Sequence, residues 1–289
     1  MIIATVFPVF LIIALGWLFA RFKRINLGEV SEIILFITTP CLIFSSLLKS
    51  QIVMADFVTI ALSVLGVTLG CGLATGIFLR LSHQECRGLY LPVMFMNAGN
   101  MALPLTLLAF GQEGLTRAIL YYVTSAFLSY SLGVMIVSHE GHFSEVFRLP
   151  LIYGAILGLL LGIFRVPVNP TLVKPFEILG GAAIPLMLLS LGYRLHHTQI
   201  RSLPLAFSGA FLRIGLGFGL ALLFVSLFRI QGTTRSVILL SSSMPSAIVN
   251  FILAQRYERN AEVVASVILV STLLSLLTTP LILAYAIGR

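Results

Sequence analysis

The chain has 289 residues, 58% of them hydrophobic and 10% charged, with a formal net charge of +8 and a mean hydropathy of +1.07. These values lie outside the range of water-soluble domains, so a soluble enzyme is excluded and lipid must solvate most of the chain. The 18 basic residues are scattered singly or in pairs through connecting segments, which suits a role in topology and argues against a nucleic-acid partner.

Met1 to Ala20 is apolar from the first residue, and Arg21, Lys23 and Arg24 follow the run instead of preceding it. That order is the reverse of a cleavable signal peptide, so the first helix is expected to be retained, starting outside and ending inside. Further apolar runs occupy 30 to 48, 57 to 79, 88 to 111, 117 to 138, 149 to 164, 171 to 193, 203 to 228, 236 to 256 and 263 to 287. At about 20 residues per span, they predict an all-α integral membrane protein of ten transmembrane helices with short loops. An outside N-terminus puts Arg21, Lys23, Arg24, Arg80, Arg87, Arg148, Arg194, Arg201, Arg256 and Arg259 on the cytoplasmic side. Lys49, Arg117, Arg165, Lys174, Arg229, Arg235 and Arg289 fall on the other, a bias of the expected sign. The expected location is the inner (plasma) membrane of a bacterium.

The chain also reads as a duplication. Pro40 and Pro185 lie 145 residues apart, as do Glu113 and Glu258, and Arg87 and Arg235 lie 148 apart. Residues 1–138 form a first five-helix repeat, 139–147 a short linker and 148–289 a second repeat. With an odd number of spans per unit, the second copy must enter the membrane from the opposite face, an inverted repeat.

Two runs are interrupted. The fourth reads Met96-Asn97-Ala98-Gly99-Asn100-Met101-Ala102-Leu103-Pro104, and the ninth Ser241-Ser242-Ser243-Met244-Pro245-Ser246-Ala247-Ile248-Val249-Asn250. Proline removes a backbone donor and clashes with the preceding turn, so each helix is expected to unwind at its proline. The freed N–H and C=O groups must face protein or a wet cavity, since lipid offers them no partner. Two half-helices meeting at mid-membrane would aim their N-termini at one small volume suited to an anion. The amides of Asn97, Asn100 and Asn250 add neutral donors. A packing role for the same small and polar residues is the alternative.

Arg213 lies about ten residues into the eighth run, where an unpaired cation costs roughly 2.5 to 3.5 kcal/mol. It either draws a carboxylate into the cavity or pairs with helix-end carbonyls. Asp56 is the only aspartate, so no deep carboxylate pair is available for a sodium/proton antiporter, and proton coupling through a buried acid is weakened. In His139-Glu140-Gly141-His142, Phe143 occupies the place of the second histidine of a zinc-protease helix, so the run reads as solvated linker. Cys41, Cys71 and Cys86 lack metal or disulfide spacing and read as buried small residues. His196 and His197 mark a cytoplasmic helix end. With no nucleophile elbow and no phosphate-binding loop, no catalytic residue, metal or cofactor is expected.

Asn97 through Pro104, Phe110-Gly111-Gln112-Glu113, Met244-Pro245-Ser246-Ala247, Ala254-Gln255-Arg256-Tyr257 and Ser271-Thr272-Leu273-Leu274-Ser275 together resemble the auxin efflux carrier family in its short prokaryotic form. The likeness runs over essentially the whole chain. It implies a five-plus-five inverted-repeat transporter, related in fold to bile acid sodium symporters, whose broken spans 4 and 9 cross around the site. Spans 3, 4, 5, 8, 9 and 10 would be the transport core and spans 1, 2, 6 and 7 the scaffold, with Pro40 and Pro185 kinking scaffold helices. Carried over by position, Asn97, Gly99, Asn100 and Pro104 in one crossover and Ser243, Pro245 and Asn250 in the other are the substrate-site candidates, with Arg213 beside them. Plant relatives export auxin, and bacterial ones are associated with malate, malonate and other small carboxylates. The long cytoplasmic loop of many plant members is missing. The expected function is a carrier, in the efflux direction, for a small organic anion such as a mono- or dicarboxylate, leaving uncoupled down the membrane potential. A sodium- or proton-coupled symporter and a non-transporting ligand sensor remain the alternatives. Expected partners are the anion and the bilayer, with a homodimer left open.

Overall fold

A computed structural model describes residues 2–50, 54–138 and 143–288. The His139–His142 run, Met1 and Arg289 lie outside the described residues. In chain order the helices are α1 Ile2–Phe22, α2 Leu27–Lys49, α3 Met54–Leu81, α4 Tyr90–Met94, α5 Ala98–Val137, α6 Pro150–Ile163, α7 Pro170–His196, α8 Leu203–Leu227, α9 Gly232–Ser242, α10 Val249–Arg256 and α11 Ala261–Ile287. Among the described residues there is no strand, only an isolated antiparallel bridge between Met96 and Ser246. Seven helices, α1, α2, α3, α5, α7, α8 and α11, are long and apolar enough to cross a membrane. The chain is an integral, multi-pass membrane protein.

Seven long helices stand where ten runs were read, for local reasons. The fourth and ninth runs are each split into short pieces, and the sixth yields only the 14 residues of α6. α5, in contrast, is 40 residues long, or about 60 Å at 1.5 Å per residue, twice the hydrocarbon thickness. Gly111 divides it: φ 64° and ψ −157° is a conformation in which only glycine is unstrained. The helix before Gly111 completes the fourth run, and the helix after it is the fifth.

Packing sorts the helices into two bundles. α1 lies along α7, and α2 packs on α6 and α7; α3, α4, α5, α8, α9, α10 and α11 pack chiefly on one another. Gly154, Gly158 and Gly162 of α6 face the backbone of α2 at Pro40, Phe44 and Leu47, so small residues on every fourth position let two helices approach closely where no hydrophobic effect drives them together. In α2 a π turn over Ile34–Thr38 precedes Pro40 and takes up the missing donor. α7 runs through Pro185 without interruption.

Charge gathers at the two ends of this assembly. At one end Lys49 pairs with Glu177 at 2.6 Å, and Arg117 pairs with Asp56 at 2.8 Å and Glu113 at 2.9 Å. At the other, the Ile25 N–H donates to the Tyr193 hydroxyl, the Gly88 N–H to Asn260, and Arg259 Nε to the Val137 carbonyl. Glu177 and Tyr193 lie near opposite ends of α7, so Lys49 and Lys174, both paired with Glu177, lie at the opposite end of that helix from Arg194.

Candidate functional site

The first break is short. α4 stops at Phe95, which is extended at φ −110° and ψ 112°. Asn97 then caps the next helix, its Oδ1 accepting from the Asn100 N–H at 3.0 Å. A π turn over Ala98–Ala102 follows before regular α-helix resumes at Leu103. Pro104 lies two residues past this π turn, which takes up its missing donor as the one before Pro40 does. The expectation that the helix unwinds at Pro104 is corrected: it unwinds at Phe95–Asn97. In the second break Pro245 does lie inside the gap, between the end of α9 at Ser242 and the start of α10 at Val249.

The two breaks meet. The Asn97 N–H donates to the Pro245 carbonyl at 2.7 Å and the Ala247 N–H to the Phe95 carbonyl at 3.2 Å. Asn250, fully buried, spans the junction, its Nδ2 donating to the Phe95 carbonyl at 2.8 Å and to Ser246 Oγ at 2.9 Å. The Ser246 N–H is taken by Ser271 of α11 at 3.1 Å. The N–H groups of Asn97, Ser246 and Ala247 and the carbonyls of Phe95 and Pro245, released by the breaks, are thus satisfied within the protein, as a membrane interior demands.

The other ends of the same helices share one cation. Arg213, carried on a π turn of α8 over Leu212–Leu216, is fully buried. Its Nη1 donates to the carbonyls of Val93 at 2.6 Å and Met94 at 3.1 Å, and Nη2 to that of Ser242 at 2.6 Å. These carbonyls are the C-terminal, partially negative ends of α4 and α9. Gly217, one turn on, leaves the room: a Cβ there would overlap both the guanidinium and the Ser242 carbonyl. Of the two readings of Arg213, pairing with helix-end carbonyls is the one the geometry takes. It does not line the cavity described next.

That cavity, of ≈160 Å³, lies between the bundles and is bounded by the N-terminal ends of both α5 and α10. Asn97, Gly99 and Asn100 line it from one crossover segment, and Ala247, Ile248 and Val249 from the other. Tyr122, Ser125 and Ser129 of α5 face it, with Ser31, Thr39, Ser190 and Arg194 on the opposite wall. Asn97 is only 3% exposed, and its Nδ2 has no hydrogen-bond partner. A buried donor left open on a cavity wall is a place for a ligand acceptor or water. Larger cavities lie toward the ends, among them one of ≈830 Å³ touching Lys49, Glu113, Arg117 and Glu177, one of ≈470 Å³ touching Arg194, His197, Arg201 and Glu262, and one of ≈950 Å³ touching Arg80, Arg87 and Glu258.

Of the residues singled out in the sequence, Asn97, Gly99 and Asn100 come together on the cavity. Pro104, Ser243, Pro245, Asn250 and Arg213 do not line it. Pro245 and Asn250 hold the two breaks against each other, Arg213 ties the half-helices, and the Ser243 hydroxyl is turned back onto the Leu239 carbonyl of its own helix. Arg194 was missed: a cation near a helix end reads by default as a topology marker, and nothing in its neighbours in sequence signals a cavity.

A sequence model of the membrane transport protein family matches the chain over residues 1–148 and 140–283. The chain is 30% identical to an uncharacterized transporter of Methanothermobacter thermautotrophicus over an alignment 292 positions long, covering 96% of each protein. It is 27% identical to an uncharacterized transporter of Methanocaldococcus jannaschii over 282 residues, covering 91% of each. Since both likenesses run almost end to end, and in agreement with the auxin efflux carrier resemblance, the chain belongs to the membrane transport protein family and is a transporter, not an enzyme.

Proposed function

We propose that the protein is a secondary carrier that exports a small organic anion, a mono- or dicarboxylate, by alternating access across the plasma membrane, with its N-terminus outside. In this reading α4 with the first part of α5 is the fourth span, the remainder of α5 the fifth, α6 a short sixth, and α9 with α10 the ninth, ten in all. A broken helix in each half, with the breaks running antiparallel where they meet, supports the inverted repeat of residues 1–138 and 148–289. The bundle of α1, α2, α6 and α7 serves as scaffold and the other bundle as the moving core, because the cavity lies between them.

The observation that carries the proposal is the open Nδ2 of buried Asn97 in a cavity that both half-helix N-termini bound. Those groups supply donors and partial positive charge where an anion would rest. Among the described residues no carboxylate lines the cavity, which favours uncoupled exit driven by the potential, worth roughly 2.3 kcal/mol per charge at 100 mV. Reconstituted vesicles loaded with labelled small carboxylates test this. Saturable efflux that follows an imposed potential is expected. Binding without flux would make the protein a sensor, and flux that requires sodium would make it a symporter.

A further inference from the structure

Among its described lining residues the central cavity has one charged side chain, Arg194. It stands near the C-terminal end of α7 and also lines the ≈470 Å³ end cavity, so it sits where the two spaces adjoin. Among the described residues the guanidinium makes a single hydrogen bond, from Nη2 to Ser31 Oγ at 3.2 Å. Glu262 shares the end cavity but does not pair with it. A guanidinium has five N–H donors and no acceptor, so one neutral hydroxyl leaves most of its capacity unused. A half-buried arginine with no carboxylate partner among the described residues, on the wall of a cavity, is a ready receptor for an oxyanion.

The opposite wall belongs to the other bundle and has a different character. There the donors are neutral: the unpartnered, buried Asn97 Nδ2 and the N-terminal ends of α5 and α10. At ≈160 Å³ the cavity is smaller than the roughly 300–1,000 Å³ of pockets for drug-sized ligands. A ligand of a few non-hydrogen atoms would therefore reach both walls at once. One wall offers a full positive charge, and the other offers helix ends and an amide.

We propose that Arg194 is a specificity-determining residue that binds an acidic group of the substrate from the scaffold side while the crossover holds a second, so that the preferred substrate is a small dianion with an acidic group at each end. This rests on the carrier reading above. A ligand that spans the cavity touches both bundles, so its binding energy favours the arrangement in which they are close, as a closed intermediate of alternating access requires. A monoanion occupies only one pole and gains less.

The test uses the full-length protein in vesicles, with succinate and butyrate as probes of equal carbon number but two acidic groups and one. Wild type should prefer succinate. Arg194→Gln should lower kcat/KM for succinate by about tenfold to a hundredfold, the worth of one hydrogen-bonded charge contact, and by a smaller factor for butyrate, so that the preference for succinate falls. Arg194→Lys, which keeps the charge, should recover part of the preference. Equal rates for both acids in wild type overturn the proposal without any variant. So does an Arg194→Gln protein in which both acids slow by the same factor, or succinate does not slow at all; in these cases the carrier reading stands. A wild-type protein that neither moves nor is thermally stabilised by either acid removes the carrier reading itself, and this proposal with it.

Discussion

Replacing Arg213 by methionine keeps the length and apolar stem of the side chain and deletes the guanidinium that joins α4 to α9. Three buried carbonyls, those of Val93, Met94 and Ser242, then lose a donor. A buried acceptor left open costs about 1–3 kcal/mol, which gives about 3–9 kcal/mol for three. Deleting the charge also relieves its own desolvation, so the low end, about 3 kcal/mol, is the expected loss. For a chain of this size that lowers the unfolding midpoint by about 6–12 °C. Thermal unfolding of purified protein in detergent reads this directly, with Arg213→Lys as the control that keeps the charge but not the planar fork. An Arg213→Met midpoint within about 2 °C of wild type would refute the assignment. If that unchanged stability came with loss of carboxylate binding, Arg213 would be a ligand-contacting cation instead.

Asn97→Ala should weaken carboxylate flux by about tenfold or more while costing only about 1 kcal/mol in stability for the lost cap, as checked by vesicle flux and unfolding together. Gly217→Ala forces a methyl group against the Arg213 guanidinium and the Ser242 carbonyl; a loss of about 1–3 kcal/mol is expected in the same unfolding assay, and no loss would show that the contact is looser than described. Cys41, Cys71 and Cys86 are free and buried, and burial pushes the thiol of Cys86, in the loop before α4, above its ordinary value, partly offset by the Leu89 backbone. Because all three are buried, native protein should resist maleimide that labels them after denaturation, and the raised Cys86 thiol, protonated at neutral pH, should react faster only as pH rises past the usual thiol range.

How much of this was legible depended on whether a residue's meaning was local. Both interruptions could be read from amides, serines and prolines inside apolar runs, because lipid offers the backbone groups they free no partner. The position of the first break could not: Pro104 looks like the breaker, yet the Asn97 cap and the π turn move the opening to Phe95–Asn97. An arginine in mid-helix announces that it needs a partner, but which carbonyls it finds is decided by α8 lying beside α9, a tertiary fact. Gly111 is quoted easily as part of a motif, whereas its positive φ, which divides a 40-residue helix, is set by the turn it must make. Arg194 carried no local sign of its place on the cavity.

The meeting of the two broken helices is tested most directly by linking them. Met96 and Ser246 face each other across an antiparallel bridge, a spacing of about 4.5–5.5 Å between Cα atoms that a disulfide can span. In a background with Cys41, Cys71 and Cys86 replaced by alanine, the Met96→Cys, Ser246→Cys pair should oxidise in native membranes to an internal disulfide found by mass spectrometry. The pair Met96→Cys, Leu277→Cys, with Leu277 71% exposed on α11, should not. Failure of the first pair to link, or equal linking by both, would contradict the crossing of the two breaks.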